Sequence, residues 1–183
     1  TLKVVGTYRV MGARGIAQTG RFYSESEFDL SRLQHLRPRI LEAGRACIHP
    51  DYRSGGVIMM LWAGLAACMK KENAEYLIGC ASVSLADGGN TINSVYQQVA
   101  GAHMAPPEYR VEPKLAFPLH DGPSAGTVTV PALIKGYLRS GAWICGQPAW
   151  DPDFHCADLF MMLPLARMES RYARHYLKDE VAA

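Results

Sequence analysis

The chain has 183 residues, enough for one ordinary domain with a single substantial core. Its 49% hydrophobic and 20% charged residues are those of a folded protein, and a net charge of +2 excludes bulk basicity as a route to nucleic acid. The longest apolar stretch, 55–69, stops at Lys70 and Lys71, short of the roughly 20 residues that a membrane span requires.

Residues 2–11 (LKVVGTYRVM) are rich in β-branched and aromatic types and predict a strand. Gly12, Gly15 and Gly20 interrupt the next segment, which reads as a loop. Residues 22–36 read as a loop with a short helical turn, closed by Pro38. Residues 39–48 (RPRILEAGRACI without its first two letters) form the next predicted strand, ended by His49 and Pro50. Over 56–71, Ile58, Leu61, Trp62, Leu65 and Met69 fall on one face of a helix. Residues 75–83 (EYLIGCASV) predict a strand with an apolar centre, as in a covered or parallel strand. A helix follows over 92–104, and then Pro106, Pro107, Pro113 and Pro118 break up an irregular stretch. Residues 131–140 predict a helix with Pro131 in its first turn and Gly141 just past its end. Strands at 142–146 and 157–163 and a charged amphipathic helix at 165–178 complete the chain. This alternation implies an α/β or α+β fold with a mixed sheet, in one domain over 1–183. The five cysteines, at 47, 68, 80, 145 and 156, contain no C-x-x-C pair and lie in apolar segments, which predicts reduced core thiols and a cytoplasmic setting.

The junction between the 39–48 strand and the 56–71 helix carries chemistry. Backbone N–H groups at a helix start are unsatisfied and attract anions. Gly55 and Gly56 let a ligand approach the backbone, Ser54 and Val57 flank them, and Arg53 can add a charge-assisted phosphate contact. On these residues alone a plain tight turn is the simpler account, since neither a P-loop nor a Rossmann pattern is present. The strand before it adds weight. Glu42 and Arg45 are charged within an apolar run, and strict alternation would put them on opposite faces. Gly44 between them marks a possible bulge that would turn both toward one cleft; an edge-strand ion pair is the plain alternative.

Strand, Arg-x-x-Gly turn, helix and strand together resemble the core of the GNAT N-acyltransferase superfamily, whose turn motif is [Arg/Gln]-x-x-Gly-x-[Gly/Ala]. Arg53 and Gly56 match it, whereas Ile58 replaces the last small residue. The segments VVGTYRVM, FYSESEFDLS, LEAGRACIHPDYRSGGVI, LIGCASV and LIKGYLRSGAWICG resemble the ornithine-acyl carrier protein N-acyltransferases of ornithine-lipid synthesis and the related N-acyl amino acid synthases. Glu42-x-x-Arg45 also resembles the Glu-x-x-Arg strand of acyl-homoserine-lactone synthases.

The resemblance implies a GNAT-type mixed, splayed sheet flanked by helices, with a first strand and helices lying upstream of residue 1. Its acyl-carrier-binding core would span about 39–84 and its acceptor and acyl pocket about 91–183. It implies transfer of a long, 3-hydroxylated or plain, fatty acyl group from acyl carrier protein to the α-amino group of an amino acid, ornithine first. No tightly bound cofactor is expected; an acyl-phosphopantetheine is the donor substrate, on carrier protein in preference to coenzyme A because of Ile58. Glu42 would serve as general base, with Arg45 orienting it or holding the acceptor carboxylate. Backbone near Cys47 and Ile48 would polarise the thioester, and Arg53, Ser54, Gly55, Gly56 and Val57 would receive the phosphate. Arg53, Lys70 and Lys71 would steer the acidic carrier protein. Lys135 and Arg139, one helical turn apart, would border the acceptor and acyl pocket, unless they form only a solvated cationic face. Asp158 would contact the acceptor amine. Asp153, His155 and Asp158 lack a second ligand cluster, so no metal is expected. A lyso-lipid product would bring peripheral contact with the inner membrane face, aided by the apolar, Pro-rich segment 104–131. The alternatives are an autoinducer synthase, an acetyltransferase using coenzyme A, and a non-catalytic acyl-binding module.

Overall fold

The computed structural model describes residues 2–120 and 128–168. Its elements in chain order are β1 (Gly6–Met11), α1 (Ala13–Thr19), β2 (Phe28–Asp29), β3 (Ile40–Ile48), α2 (Gly56–Glu72), β4 (Tyr76–Ser84), α3 (Asn90–His103), β5 (Glu112–Pro113), α4 (Ala132–Arg139), β6 (Trp143–Ile144), β7 (Ala149–Asp151) and β8 (Cys156–Pro164), with short 3-10 turns between. The main sheet has the order β1-β3-β4-β8-β6, with β7 also paired to β8, and β2 pairs with β5 apart from it. Only β3 and β4 run parallel, joined by α2 as a parallel connection requires. The mixed α/β class expected from the alternation is the class observed.

Period-2 alternation assigns each strand residue to one of two cores. Leu77, Ala81, Val83, Leu159 and Met161 pack under α2, α3 and α4, with Leu65, Met69 and Val95. Ile40, Ile78, Phe160 and Met162 point the other way, onto Phe22, Phe28, Leu33 and Leu36 of the 22–39 segment. All nine residues of β8 are buried, because both faces of the sheet centre are covered.

β3 and β4 pair only from Ile40–Glu42 against Tyr76–Ile78. Beyond that point they splay. At the fork, a side chain on Gly79 would collide with the Ala43 carbonyl, so the close approach of the two backbones depends on a residue without Cβ. On its other edge, β3 pairs with β1 through a register slip: Thr7 and Arg9 oppose Cys47 and Gly44, which leaves one extra residue on β3. The bulge expected at Gly44 is therefore present, but the left-handed backbone falls next door, on Arg45 at φ 52°.

Several expectations required correction. The 12–20 loop is helix α1, with Gly15 inside it and a glycine at each end: Gly12 is the N-cap, and Gly20 at φ 77° returns its N–H to the Ile16 carbonyl. Pro38 does not close its segment, since the 3-10 stretch Ser31–Arg39 runs one residue past it. The short strand β7 carried no usable periodicity. Of the expected 165–178 helix, Leu165–Arg167 is a 3-10 turn, and residues from 169 on lie outside the described ones. Residues 121–127 of the segment expected at the membrane also lie outside them. Cys47, expected to pack in the core, is exposed, whereas Cys145 and Cys156 are buried; all five cysteines are free. Among the described residues no helix is long and apolar enough to cross a membrane.

Candidate active site

The splay and the bulge open two cavities on either side of the second half of β3. The first, of about 500 Å³, is a polar cleft lined by Arg9, Tyr23, Glu42, Arg45, Cys80, Ser82, Asp151, Phe154, His155 and Asp158 among others. The second, of about 570 Å³, is an apolar groove between the end of β3, the start of α2 and α4, lined by Ile48, Ile58, Met59, Trp62, Gly136, Arg53 and Arg139 with three alanine and leucine neighbours. Ala46 and Leu133 line both.

In the cleft, Glu42 follows from the alternation of β3: it shares a sheet face with Ile40, where the 22–39 segment covers it. Only 3% of it is exposed, and its carboxylate is held by three donors. The Tyr23 N–H reaches Oε2 at 2.7 Å, and the Ser24 N–H and hydroxyl reach Oε1 at 2.8 and 2.5 Å. The apolar surroundings expected for a base are replaced by a polar clamp. Arg45, turned by the bulge, reaches the same cleft, and its guanidinium lies against the rings of Tyr23 (5.1 Å) and Phe154 (5.3 Å). Arg9 packs against the Tyr23 ring as well, at 4.9 Å. Asp158 pairs with Ser82 across β4 and β8, so it faces the side that Cys80 and Phe160 face. One ligand-capable atom from each of Asp151, Cys156 and Asp158 lies within 4.8 Å of the others. Burial, and then the Asp158 charge, pushes the Cys156 thiol up to about 12, so it adds no charge. Burial likewise holds the Cys80 thiol well above its usual range, with Glu27 as the next cause. The cleft thus carries charges of both signs: the guanidiniums of Arg9 and Arg45, and the carboxyls of Glu42, Asp151 and Asp158.

The groove has a different character. Gly55, at φ 106°, is the N-cap of α2, and no side chain caps that end. The first turn of this 17-residue helix contributes Ile58 and Met59 to the groove, whereas Ser54, Gly55, Gly56 and Val57 line neither cavity. Arg53 bends back so that its Nε donates to the Ile48 carbonyl at 3.1 Å, which holds the guanidinium beside that turn. The groove wall is stiff: Trp62 stacks flat on Tyr137 at 5.2 Å, and the Tyr137 hydroxyl is 2.8 Å from that of Tyr8. A Cβ on Gly136 would come within 2.9 Å of the Trp62 ring, so the groove's width there depends on glycine.

The structure brings Glu42, Arg45 and Asp158 into the cleft, and Ile48, Arg53 and Arg139 into the groove. Arg139, expected to border the acceptor and acyl pocket, lines the groove. Lys135, one turn before it, is exposed and lines neither cavity, nor does Cys47, whose strand position turns it outward. Ser54, Gly55, Gly56 and Val57 form the helix start itself. Sequence reasoning singled out none of Arg9, Tyr23, Glu27, Cys80, Asp151 or Phe154, because the 22–39 segment has no periodicity from which its fold over β3 could be read.

A strand that splays from its parallel neighbour, a bulge, and a glycine turn into an uncapped helix define the GNAT class of fold. A family model described as an acetyltransferase (GNAT) domain matches residues 1–63. L-ornithine N(alpha)-acyltransferase from Rhodobacter capsulatus is 31% identical over 96% of this chain and 70% of its own length. The enzymes of that name from Brucella abortus and Rhizobium meliloti are 32% and 31% identical over 95% and 97% of this chain. The chain belongs to the L-ornithine N(alpha)-acyltransferase family. It spans 65% and 63% of the Brucella and Rhizobium relatives. A solved CoA-dependent acyl-homoserine lactone synthase with SAM and isopentyl-CoA overlays on 93% of this chain and 60% of its own, at 12% identity and a TM-score of 0.41, too slight a likeness to argue from.

Proposed function

We propose that this chain transfers a long fatty acyl group from the phosphopantetheine of acyl carrier protein to the α-amino group of ornithine. One observation carries the reading: an apolar groove that includes the first turn of α2 and a polar cleft lined by charges of both signs meet at Ala46 and Leu133. An acyl thioester in the groove would bring its carbonyl to this shared wall, and an amino acid in the cleft would bring its amine to the other side.

In this reading Arg53 and the Ser54–Val57 turn receive the pantetheine phosphate, with Arg139 across the groove. Ile48, Ile58, Met59 and Trp62 shelter the arm and the chain. The bulged strand at Ala46 and Cys47, unpaired toward β4, supplies the backbone N–H for the thioester oxygen. Arg45, oriented by Tyr23 and Phe154, binds the acceptor carboxylate, and Asp158 draws its ammonium. Ile58, where a small residue is usual, favours a donor with one phosphate. Lys70 and Lys71 add positive charge for an acidic carrier. Peripheral contact with the inner membrane face fits an amphiphilic product and the exposed Met60 beside the groove.

The test is direct. Purified protein is incubated with 3-hydroxyacyl carrier protein or the matching acyl-CoA and a panel of amino acids, with products read by mass spectrometry. N-acylornithine from the carrier-bound donor, with slower turnover from acyl-CoA, is expected. Faster turnover from acyl-CoA would move the donor assignment, and acyl binding without product from any acceptor would leave an acyl-binding module.

A further inference from the structure

Behind the cleft wall, two carboxyls lack donors. Glu27 Oε2 and Asp158 Oδ1 are buried oxygens without a hydrogen-bond partner among the described residues. Asp158 is 3% exposed yet lines the cleft. After burial, Asp158 is the group that most raises the Glu27 carboxyl, through hydrogen bonding and charge. A single proton held between the two carboxyls gives each orphan oxygen a partner. Glu42, by contrast, has three donors fixed on it, so protonating it would break contacts that hold the 22–26 turn.

Resting on the acyl-transfer reading, we propose that Asp158 is the catalytic proton acceptor, that Glu27 is a positioning residue acting through the shared proton, and that Glu42 is a structural clamp. In the step, the acceptor ammonium gives one proton to Asp158. The freed lone pair forms the C–N bond to the thioester carbonyl, the C–S bond breaks, and the second nitrogen proton leaves on the pantetheine sulfur as thiol. Asp158 then returns its proton to solvent.

The pair sets when this can happen. Burial first, and then Asp158, pushes Glu27 up to about 8. Below that pH Glu27 already holds a proton; above it that site is open to take one. The neighbours from each packed element are Asp151 on β7, which adds negative charge, Cys80 on β4 and Cys156 on β8, both held as thiols, and Tyr23, Arg45, Glu42 and His155 around the cleft.

The experiment is the pH profile of kcat/KM for ornithine in the wild type and in Asp158→Asn, Glu27→Gln and Glu42→Gln. Asp158→Asn is expected to lose about 100-fold or more at every pH, with the donor KM unchanged. Glu27→Gln is expected to lower the plateau of kcat/KM about tenfold, because Asp158 without its partner is a weaker base, and to move the acidic limb of the profile to lower pH. An acceptor analogue whose amine is already neutral at pH 7 is expected to recover part of the Asp158→Asn loss. Asp158→Asn within fivefold of the wild type, or an unmoved limb in Glu27→Gln, overturns the assignment. Infrared difference spectra of the wild type across pH 7–9 read the shared proton without any variant: a carboxyl band lost near pH 8 supports the pair, and its absence overturns it. Wild type that makes no N-acyl product at all sinks the acyl-transfer reading instead, while the infrared band still reports on the pair.

Discussion

Replacing Glu42 with Gln tests the clamp at the centre of the site. The carboxylate offers an oxygen to each of two backbone N–H groups, from Tyr23 and Ser24, and to the Ser24 hydroxyl. An amide keeps the shape but has one acceptor oxygen. In either orientation its NH₂ meets a backbone N–H that has nowhere else to turn, which costs about 1–3 kcal/mol for an unsatisfied buried donor. The hydroxyl can rotate and is spared. The N–H that stays bonded loses its charged partner, at about another 1 kcal/mol. The sum is about 2–4 kcal/mol, a large share of a typical domain's stability. Urea unfolding should show the midpoint fall with an unchanged slope. Ser24→Ala should cost less, about 1–2 kcal/mol, and a double-mutant cycle should show coupling. A Glu42→Gln protein within about 0.5 kcal/mol of the wild type would refute the clamp.

Gly79→Ala should destabilise by about 2–3 kcal/mol, because its methyl meets the backbone carbonyl of Ala43 at the fork of the sheet; thermal melts of folded protein check it. Arg53→Ala and Arg139→Ala should raise the KM for carrier-bound donor about tenfold each and flatten its salt dependence, with the ornithine KM unchanged. Gly136→Val should narrow the groove against Trp62 and shift acyl preference toward shorter chains, read by competition between thioesters. Glu27 has its folded-state pKa raised from 4.5 to about 8, so its contribution to stability is complete below about pH 4.5 and is lost as the pH rises to about 8. Glu27→Gln should therefore flatten the pH dependence of unfolding in that window.

The parts of the fold legible in the sequence were those with a strong local signal. The α2 face of Ile58, Leu65 and Met69 and the apolar run of β4 came out within a residue of their ends. Glu42, Arg45 and Arg53 stood out because charge beside glycine breaks an apolar pattern. The rest depends on long-range placement. Glu27 and Asp158 are 131 positions apart, and only the fold of a segment without periodicity over β3 makes them neighbours. Gly12 and Gly20 hid a helix because they serve as its ends, with Gly15 inside it, a pattern that the sequence cannot separate from a loop. Which of the two cavities Arg139 would join could not be read from the sequence, because α4 is seated through Trp62 and Tyr8, residues more than 70 positions away.

The wall formed by Ala46 and Leu133 has a kinetic consequence. Neither side chain carries a nucleophile, so in the proposed transfer the acyl group would have no atom of either on which to rest between donor and acceptor. Both substrates must be present together, and initial-rate plots against one substrate at several levels of the other should intersect instead of running parallel. The product, with its head in one cavity and its tail in the other, would straddle that wall until both halves let go.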